Sequence, residues 1–268
     1  MKYEKFTPTD PRLSPYVVCF YHWVGEVKNP LDVQSPPVCY SALVVNSASP
    51  YKTYQHTQNP ATVPEAFVCG LMTSNYHLVL EGKIDMVGAV LRPATLYNFF
   101  GLKMTNWVNN RSPLEFIMGE KAGKLVEQIK LSTTVEQRIS VLEDALLSQV
   151  AKAKQRASII DDIIDWIDER TGSITIDEVV HTFNVSRRYL ETRFMEKTGI
   201  SPKLYARIKK FGLLSNKIAH SQEVDWQDIV YENGYHDQSH LTKEFKKFNG
   251  APPSKYHETH NELVRHVK

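Results

Sequence analysis

The sequence predicts two domains: an N-terminal β-rich barrel or sandwich followed by helices, and a C-terminal all-α domain with two helix-turn-helix units. Three observations support this fold class. The 268 residues are enough for two separate hydrophobic cores. Short apolar runs separated by Gly, Pro, Asn and Ser dominate residues 1–111. Two patterns of short helix, tight turn and second helix follow one another about fifty residues apart in the C-terminal third.

The N-terminal half contains short runs rich in β-branched and aromatic residues, which are typical of strands. These runs cover residues 16–24, 41–46, 66–69, 77–80 and 84–91. Residues 28–37 and 51–64 are polar and contain proline, so we expect loops there.

Two helices are predicted over residues 112–154. Ser112 and Pro113 offer an N-cap and a first-turn proline for a helix to about residue 130. Thr134 and Gln137 have the spacing of a capping box, which predicts a helix to about residue 154. The second helix has an apolar stripe of Val135, Ile139, Leu142 and Leu146. This stripe could cover its own domain or form a dimer interface, and we favour the interface.

The C-terminal domain is predicted to span residues 155–268, after an N-terminal domain over 1–154. Ser158 begins an isoleucine-rich helix that Thr171-Gly172 ends. Thr175 and Glu178 form a second capping box. Ser201-Pro202 then begin a long connecting helix to about residue 219. Its apolar face comprises Leu204, Ile208, Phe211, Leu214 and Ile218.

The two helix-turn-helix units occupy residues 174–194 and 226–245. In each second helix two apolar residues lie four apart, Leu190 with Phe194 and Leu241 with Phe245. The opposite face of each helix is polar and free to enter a major groove.

Residues 158–257 resemble the DNA-binding domain of the AraC/XylS family of transcription regulators. The second unit carries the most specific part of the resemblance: Ile229-Val230, Gly234-Tyr235, Ser239, Leu241, Phe245-Lys246, Gly250 and Pro253 to Tyr256. Val180 and Val230 stand where the family usually has a small Ala, and Thr192 where Arg or Lys is common. The resemblance implies a sequence-specific, double-stranded DNA-binding activator with a cupin-like, effector-binding N-terminal barrel and RNA polymerase as a partner.

The outward positions of the two recognition helices are the candidate DNA contacts. They are Ser186, Arg187, Arg188, Glu191 and Thr192 in the first unit, and Gln238, Ser239, His240, Thr242, Lys243 and Lys246 in the second. Arg can bind guanine or a phosphate, and Glu can accept a hydrogen bond from cytosine. The alternative is that both faces are merely solvated, but the repetition of the pattern in two matched units favours DNA.

Total charge does not indicate this function. Residues 155–268 contain 17 Lys and Arg against 17 Asp and Glu, whereas DNA-binding domains are usually basic. Five acids lie in one predicted helix: Asp161, Asp162, Asp165, Asp168 and Glu169. The basic residues near the recognition helices are Arg187, Arg188, Lys243, Lys246 and Lys247. We therefore expect local charge to face the phosphates, with modest non-specific affinity.

The cysteines raise an alternative, a DNA-repair-type alkyl-transfer enzyme fused to the same DNA-binding domain. Cys19, Cys39 and Cys69 form no CxxC pair, and each lies in an apolar run, so we interpret them as core residues. His22, His56 and His77 are isolated, and Asp237 is better placed as a helix N-cap than as a metal ligand. No catalytic residue, metal or cofactor is predicted.

An effector pocket could be lined by polar-tipped residues in or beside the strand-like runs. The candidates are Trp23, Tyr40, Asn46 and Arg92. In an alternative reading the N-terminal half only oligomerises, and a homodimer is possible in either case. No apolar run approaches the ~20 residues of a membrane span, and no signal peptide is visible. We expect a cytoplasmic protein with no membrane partner.

Overall fold

The structure, a computed structural model, describes residues 1–55, 59–153, 158–221, 224–232 and 235–256. His56 and Gly234, singled out in the sequence, lie outside these residues. The described N-terminal residues form an eight-stranded antiparallel sheet in the order β1-β2-β7-β3-β6-β8, with β4 paired to β7 and β5 to β4. The strands are β1 Lys2–Phe6, β2 Val17–Ser35, β3 Ser41–Asn46, β4 Lys52–Tyr54, β5 Ala61–Thr62, β6 Ala66–Cys69, β7 Tyr76–Leu91 and β8 Arg111–Pro113.

The centre of the sheet is a long antiparallel pair of strands, β2 and β7. These strands pair from Val17 opposite Leu91 to Ser35 opposite Tyr76, with a register shift between Val27 and Leu31. The predicted loop at 28–37 is therefore wrong, because strand β2 continues to Ser35. Its polar residues 28–30 are exposed at the register shift, a position where a proline costs no ladder hydrogen bond.

The two strands predicted at 77–80 and 84–91 are one strand that bends at Gly82. Gly82 has φ +75°, and a Cβ there would lie 2.7 Å from Oγ of Ser49, so only glycine fits without strain. Before the bend β7 pairs with β4, and after it β7 pairs with β3. The bend therefore lets one strand belong to both parts of the sheet.

The sheet has an apolar core on each face. One core, between the parts of the bent sheet, contains Val33, Val44, Tyr51, Phe67, Leu80, Ile84 and Met86. The other lies between the sheet and the helices that follow it, and contains Phe20, Val68, Val87, Ala89, Leu125, Ile129, Ile139, Leu142 and Leu146.

The helices of the N-terminal half are α1 Thr95–Phe100, α2 Glu115–Met118, α3 Glu120–Leu131 and α4 Val135–Val150. The helix start predicted at Ser112-Pro113 is wrong: these residues belong to β8, whose Pro113 lies opposite Phe67 of β6. The capping box of Thr134 and Gln137 is confirmed at the start of α4.

The stripe on α4 covers its own domain. Ile139, Leu142 and Leu146 are at most 6% exposed in the core against the sheet. Buried Glu143 also accepts hydrogen bonds from the backbone N–H of Thr9 at 2.6 Å and of Asp10 at 3.1 Å. The favoured dimer-interface reading is therefore wrong, because the sheet face itself needs this cover.

The C-terminal helices are α5 Ile159–Glu169, α6 Ile176–Phe183, α7 Arg187–Thr198, α8 Pro202–His220, α9 Trp226–Glu232 and α10 Gln238–Asn249. The predicted caps at Ser158, Thr175 and Ser201 are confirmed by side-chain hydrogen bonds to the first turns. The predicted fold class is confirmed. No helix of the described residues is both long and apolar enough to cross a membrane.

The two halves of the chain are in direct contact. Cys39, Leu71 and Ala94 of the N-terminal half pack into the same apolar cluster as the C-terminal helices. At Gly199, which ends α7, a Cβ would lie 2.5 Å from the carbonyl oxygen of Met104. The backbone of the first helix-turn-helix unit therefore packs closely on the N-terminal domain.

Candidate nucleic-acid interface

The first helix-turn-helix unit consists of α6 and α7. Asn184 adopts a left-handed conformation (φ 48°) at the end of α6 and makes the turn. Ser186 then caps α7 by accepting a hydrogen bond from the N–H of Tyr189 at 3.2 Å. Leu190 and Phe194 are fully buried. Their packing fixes the rotation of α7 about its axis, and so determines which residues lie on its outer side.

The outer side of α7 carries the predicted contacts. Arg187, Arg188, Glu191 and Thr192 are all exposed. Arg187 is 3.0 Å from Asp177 of α6, and both side chains are more than half exposed. An ion pair this exposed is weak, so a DNA phosphate or a guanine can replace Asp177 as its partner.

The second unit consists of α9 and α10. Asp237 caps α10 by accepting a hydrogen bond from the N–H of His240 at 2.7 Å, as predicted. Bonds from the backbone N–H of His240 and from the His236 ring lower the pKa of Asp237 below its ordinary value, which keeps the cap ionised.

The outer positions of α10 are mostly free. Gln238, Ser239, His240, Lys243 and Lys246 are exposed. Thr242 is half-buried, and its contact with DNA stays a prediction. The exposed set covers the first turn and one side of the helix, as base reading followed by phosphate contact requires.

Glu244, which is not among the residues predicted from the sequence, connects α10 to α8. Its carboxylate accepts hydrogen bonds from Nε of Arg207 at 3.4 Å and Nη2 at 3.3 Å. Nε2 of His240 lies 3.9 Å from the same carboxylate. The i, i+4 spacing of His240 and Glu244 was visible in the sequence, but the partner on α8 was not. Glu244 therefore fixes α10 against α8 and lies beside His240, one of the predicted DNA contacts.

The acidic helix α5 explains the zero net charge of residues 155–268. Asp161 binds Nζ of Lys197 at 2.5 Å. Asp165 binds Arg92, and Asp168 binds Nζ of Lys209 at 2.9 Å. Three of the five acids are thus paired with cations of other elements, and one of these cations, Arg92, belongs to the N-terminal domain. They do not oppose the basic residues of the recognition helices.

The four candidate effector residues lie in separate places. Trp23 is half-buried against the inner core of the sheet. Asn46 is buried and closes a turn by donating to the carbonyl of Ser49 at 2.8 Å. Arg92 binds the carbonyl of Ser14 and Asp165. Tyr40 lines a cavity.

That cavity lies between the two domains and has a volume of about 620 Å³. It is lined by residues of both, among them Lys5, Val38, Cys39 and Tyr40 from the N-terminal half and Ile208, Lys209, Gly212, Leu213 and Ala219 from α8. Burial opposes the charge of Lys209, but Asp168 and the Tyr40 hydroxyl raise the pKa of its ammonium above the ordinary value. The sequence gives no sign of this site, because the segments meet only in the folded chain.

The three cysteines are free thiols in different elements. Cys19 is in β2, Cys69 is in β6, and Cys39 lies at the domain contact, where its Sγ is 3.6 Å from the carbonyl of Tyr205. Burial raises the pKa of all three thiols. Within the described ranges, no three His, Cys, Asp or Glu side chains are grouped to hold a metal ion.

Known proteins resemble both halves of the chain. Residues 179–259 match the family described as a helix-turn-helix domain, and residues 4–113 match a domain of unknown function, DUF6597. Multiple antibiotic resistance protein MarA of Escherichia coli strain K12 is 31% identical over 107 residues, which are 38% of this chain and 81% of MarA.

Two further similarities extend beyond the helix-turn-helix units. The HTH-type transcriptional activator RhaS of Escherichia coli O1:K1 / APEC is 24% identical over 156 residues, 55% of this chain and 56% of RhaS. The structure of ToxT from Vibrio cholerae aligns with a TM-score of 0.49 at 11% identity, over 89% of this chain and 98% of ToxT.

Proposed function

The chain belongs to the AraC/XylS family of transcription regulators, and from this premise we propose that it reads two successive major-groove segments of one DNA site under the control of a small-molecule effector. The resemblance predicted from the sequence is confirmed by the helix-turn-helix match and by MarA. Members of this family are DNA-binding regulators, so sequence-specific DNA binding follows from membership.

The observation that carries the proposal is the pair of N-capped recognition helices joined by α8. At 19 residues and 1.5 Å per residue, α8 is about 28 Å long. Successive major-groove segments on one face of a duplex are about 34 Å apart. A single helix therefore spans most of that separation and holds α7 and α10 at a fixed spacing.

The exposed residues divide into two roles. We assign base reading to Arg187 and Glu191 on α7 and to Gln238 and His240 on α10, because they lie in the first two turns of each helix. The remaining predicted contacts, Ser186, Arg188, Thr192, Ser239, Lys243 and Lys246, would bind phosphates or flank the bases. Thr242, which is half-buried, would contribute through the accessible part of its side chain.

The interdomain cavity is the proposed effector site. It joins Tyr40 of the sensor half to Lys209 of α8 through a hydrogen bond of 3.2 Å. A molecule bound there would contact both the N-terminal domain and the helix that spaces the two recognition helices. This placement supports a sensor role over the alternative that the N-terminal half only oligomerises.

The proposal also covers the domain boundary, the class of protein and its partners. The domain boundary is placed between residues 154 and 155. The protein is proposed to be a non-enzymatic, cytoplasmic activator that contacts RNA polymerase, as the activator RhaS suggests. The alkyl-transfer alternative would need grouped thiolates, and the cysteines are dispersed. Any homodimer would have to use a surface other than the buried stripe of α4.

DNA binding is tested by selecting bound duplexes from a random pool with the full-length protein. We expect an enriched sequence with two blocks about one helical turn apart, and an affinity that falls as salt rises. Recovery of no preferred sequence by folded protein would refute the proposal.

Effector control is tested with Gly212→Met. A Cβ at Gly212 meets no atom within 4 Å, and this residue of α8 lines the cavity, so methionine would occupy part of the cavity without breaking the helix. Gly123→Met is the matched control, because Gly123 is also a helical glycine with open space around its Cβ. We expect small molecules extracted from purified wild-type and Gly123→Met protein, identified by mass spectrometry, to be lost from Gly212→Met. Equal extracts, or none from any of the three proteins, would favour the oligomerisation reading.

A further inference from the structure

A groove separates the outer side of α7 from α8 on the DNA-reading face. It has a volume of about 930 Å³ and is lined by the first turn of α6, by Arg187 and Glu191 of α7, and by Lys203, Arg207 and Lys210 of α8. Since Arg187 and Glu191 are base-reading residues in the proposed function, a duplex read by α7 would lie beside this groove.

The charged residues of the groove are not equivalent. Arg207 is bound to Glu244, Arg187 to Asp177, and the carboxylate of Glu178 accepts from the backbone N–H of Thr175 at 2.6 Å. Within the part of the chain that the structure describes, Lys203 and Lys210 have no carboxylate at ion-pair distance. Their two positive charges are therefore available to an anion in the groove.

The spacing of these two lysines fits a DNA strand. They are seven residues apart on one face of α8, which places them about 10 Å apart along its axis. A DNA strand carries one phosphate about every 3.4 Å along the duplex axis, so this span corresponds to about three phosphates. Lys210 also lies 5.2 Å from the ring of Tyr235, just before α10, so the groove leads from the first unit toward the second.

We propose that Lys203 and Lys210 bind phosphates of the DNA backbone between the two major-groove segments read by α7 and α10. The inference rests on the proposed function and adds a contact on α8, outside both recognition helices. It makes the connecting helix a part of the binding surface as well as a spacer.

The test uses the full-length protein, a duplex with the selected sequence and an unrelated duplex of equal length. Lys203→Ala/Lys210→Ala is compared with Lys121→Ala/Lys124→Ala, which removes two exposed lysines from α3. We expect the groove variant to bind both duplexes more weakly by the same factor. The slope of log affinity against log salt should become shallower by about 1.8, or 0.9 for each lost phosphate contact. The α3 variant should keep the wild-type slope.

A second measurement separates local contact from a general loss of charge. Neutral methylphosphonate linkages are placed in the backbone between the two selected blocks. We expect them to weaken binding of the wild type and to leave binding of the groove variant unchanged. Wild-type binding that is insensitive to these linkages, or a groove variant with the wild-type salt slope, would overturn the groove proposal alone. A wild-type protein without salt-dependent DNA binding would overturn the proposed function as well.

Discussion

Nζ of Lys197, on the buried side of α7, lies 2.5 Å from a carboxylate oxygen of Asp161 in α5. Asn98 of α1 completes a triangle, because its side chain accepts from Lys197 at 2.9 Å and donates to Asp161 at 2.9 Å. The helix proposed to present Arg187 and Glu191 to DNA is therefore bound on its other side to the N-terminal domain.

Removal of the Lys197 ammonium should destabilise the fold. Lys197→Met leaves the Asp161 carboxylate and the Asn98 amide without their partner at a site where Lys197 is only 7% exposed. We expect a loss of about 3 kcal/mol in the free energy of unfolding by urea. Arg193→Met, which removes an exposed pair with Glu196 on the same helix, should cost less than about 1 kcal/mol. Equal losses would contradict the structural role of Lys197.

Substitutions on α10 should separate base reading from phosphate binding. Gln238→Ala and His240→Ala should each weaken the selected site by about 1–3 kcal/mol and relax its preference at one or two positions. Lys246→Ala should weaken selected and random duplexes alike. Competition binding with single-base variants of the site measures both effects. If Gln238→Ala changed cognate and random DNA equally, the assigned register of α10 would be wrong.

The stripe on α4 can be tested by placing a charge in it. Leu142 is fully buried, and an unpaired carboxylate there costs several kcal/mol, so Leu142→Glu should be unfolded or insoluble. Leu131→Glu on neighbouring α3 is the control, because Leu131 is 74% exposed and should keep its stability. Circular dichroism and light scattering distinguish these outcomes. A folded, soluble, monomeric Leu142→Glu made from a dimeric wild type would restore the interface reading.

Asp85 should make stability depend on pH at the acidic end. Burial opposes its charge, but hydrogen bonds from Arg138 of α4 and from His22 outweigh it and lower the pKa of Asp85. A carboxylate with a lowered folded-state pKa stabilises the fold above its unfolded pKa of about 3.9, and loses that contribution as the pH falls through the folded pKa. Asp85→Asn should therefore be less stable than the wild type at neutral pH.

The deficit of Asp85→Asn should shrink as the pH falls below about 4. Urea unfolding at a series of pH values measures this convergence, with Asp144→Asn on the exposed side of α4 as the control. If the difference in the free energy of unfolding between Asp85→Asn and the wild type stayed constant over the whole pH series, Asp85 would stabilise the fold through packing rather than through its charge.

The C-terminal helices were predictable because their signals are local. Ser158, Thr175 and Ser201 cap helices through residues two or three positions away, so the sequence alone locates each start. The buried partners of α7 and α8 were not predictable. Lys197 meets Asn98 across 99 residues, and Lys209 meets Tyr40 across 169, and no spacing rule connects them.

The two wrong predictions in the N-terminal half, the loop at 28–37 and the helix start at Ser112-Pro113, also result from contacts between residues distant in the sequence. The polar second half of β2 is a strand because β7 pairs with it, and Pro113 is in a strand because β6 lies beside it. Local composition favoured a loop and a helix start, and pairing with distant residues overrode both.

Strand β7, which bends at Gly82, connects at its two ends to both helix-turn-helix units. One residue before β7, the N–H of Asn75 donates to the carbonyl of Phe248 in α10 at 2.9 Å. One residue after it, Arg92 binds Asp165 of α5, which supports α7. The two ends of β7 therefore lie beside both units, one in direct contact with α10 and the other through α5. A substitution that distorts the strand at Gly82 should therefore weaken the contacts that hold both units against the N-terminal domain, without touching a residue proposed to contact DNA.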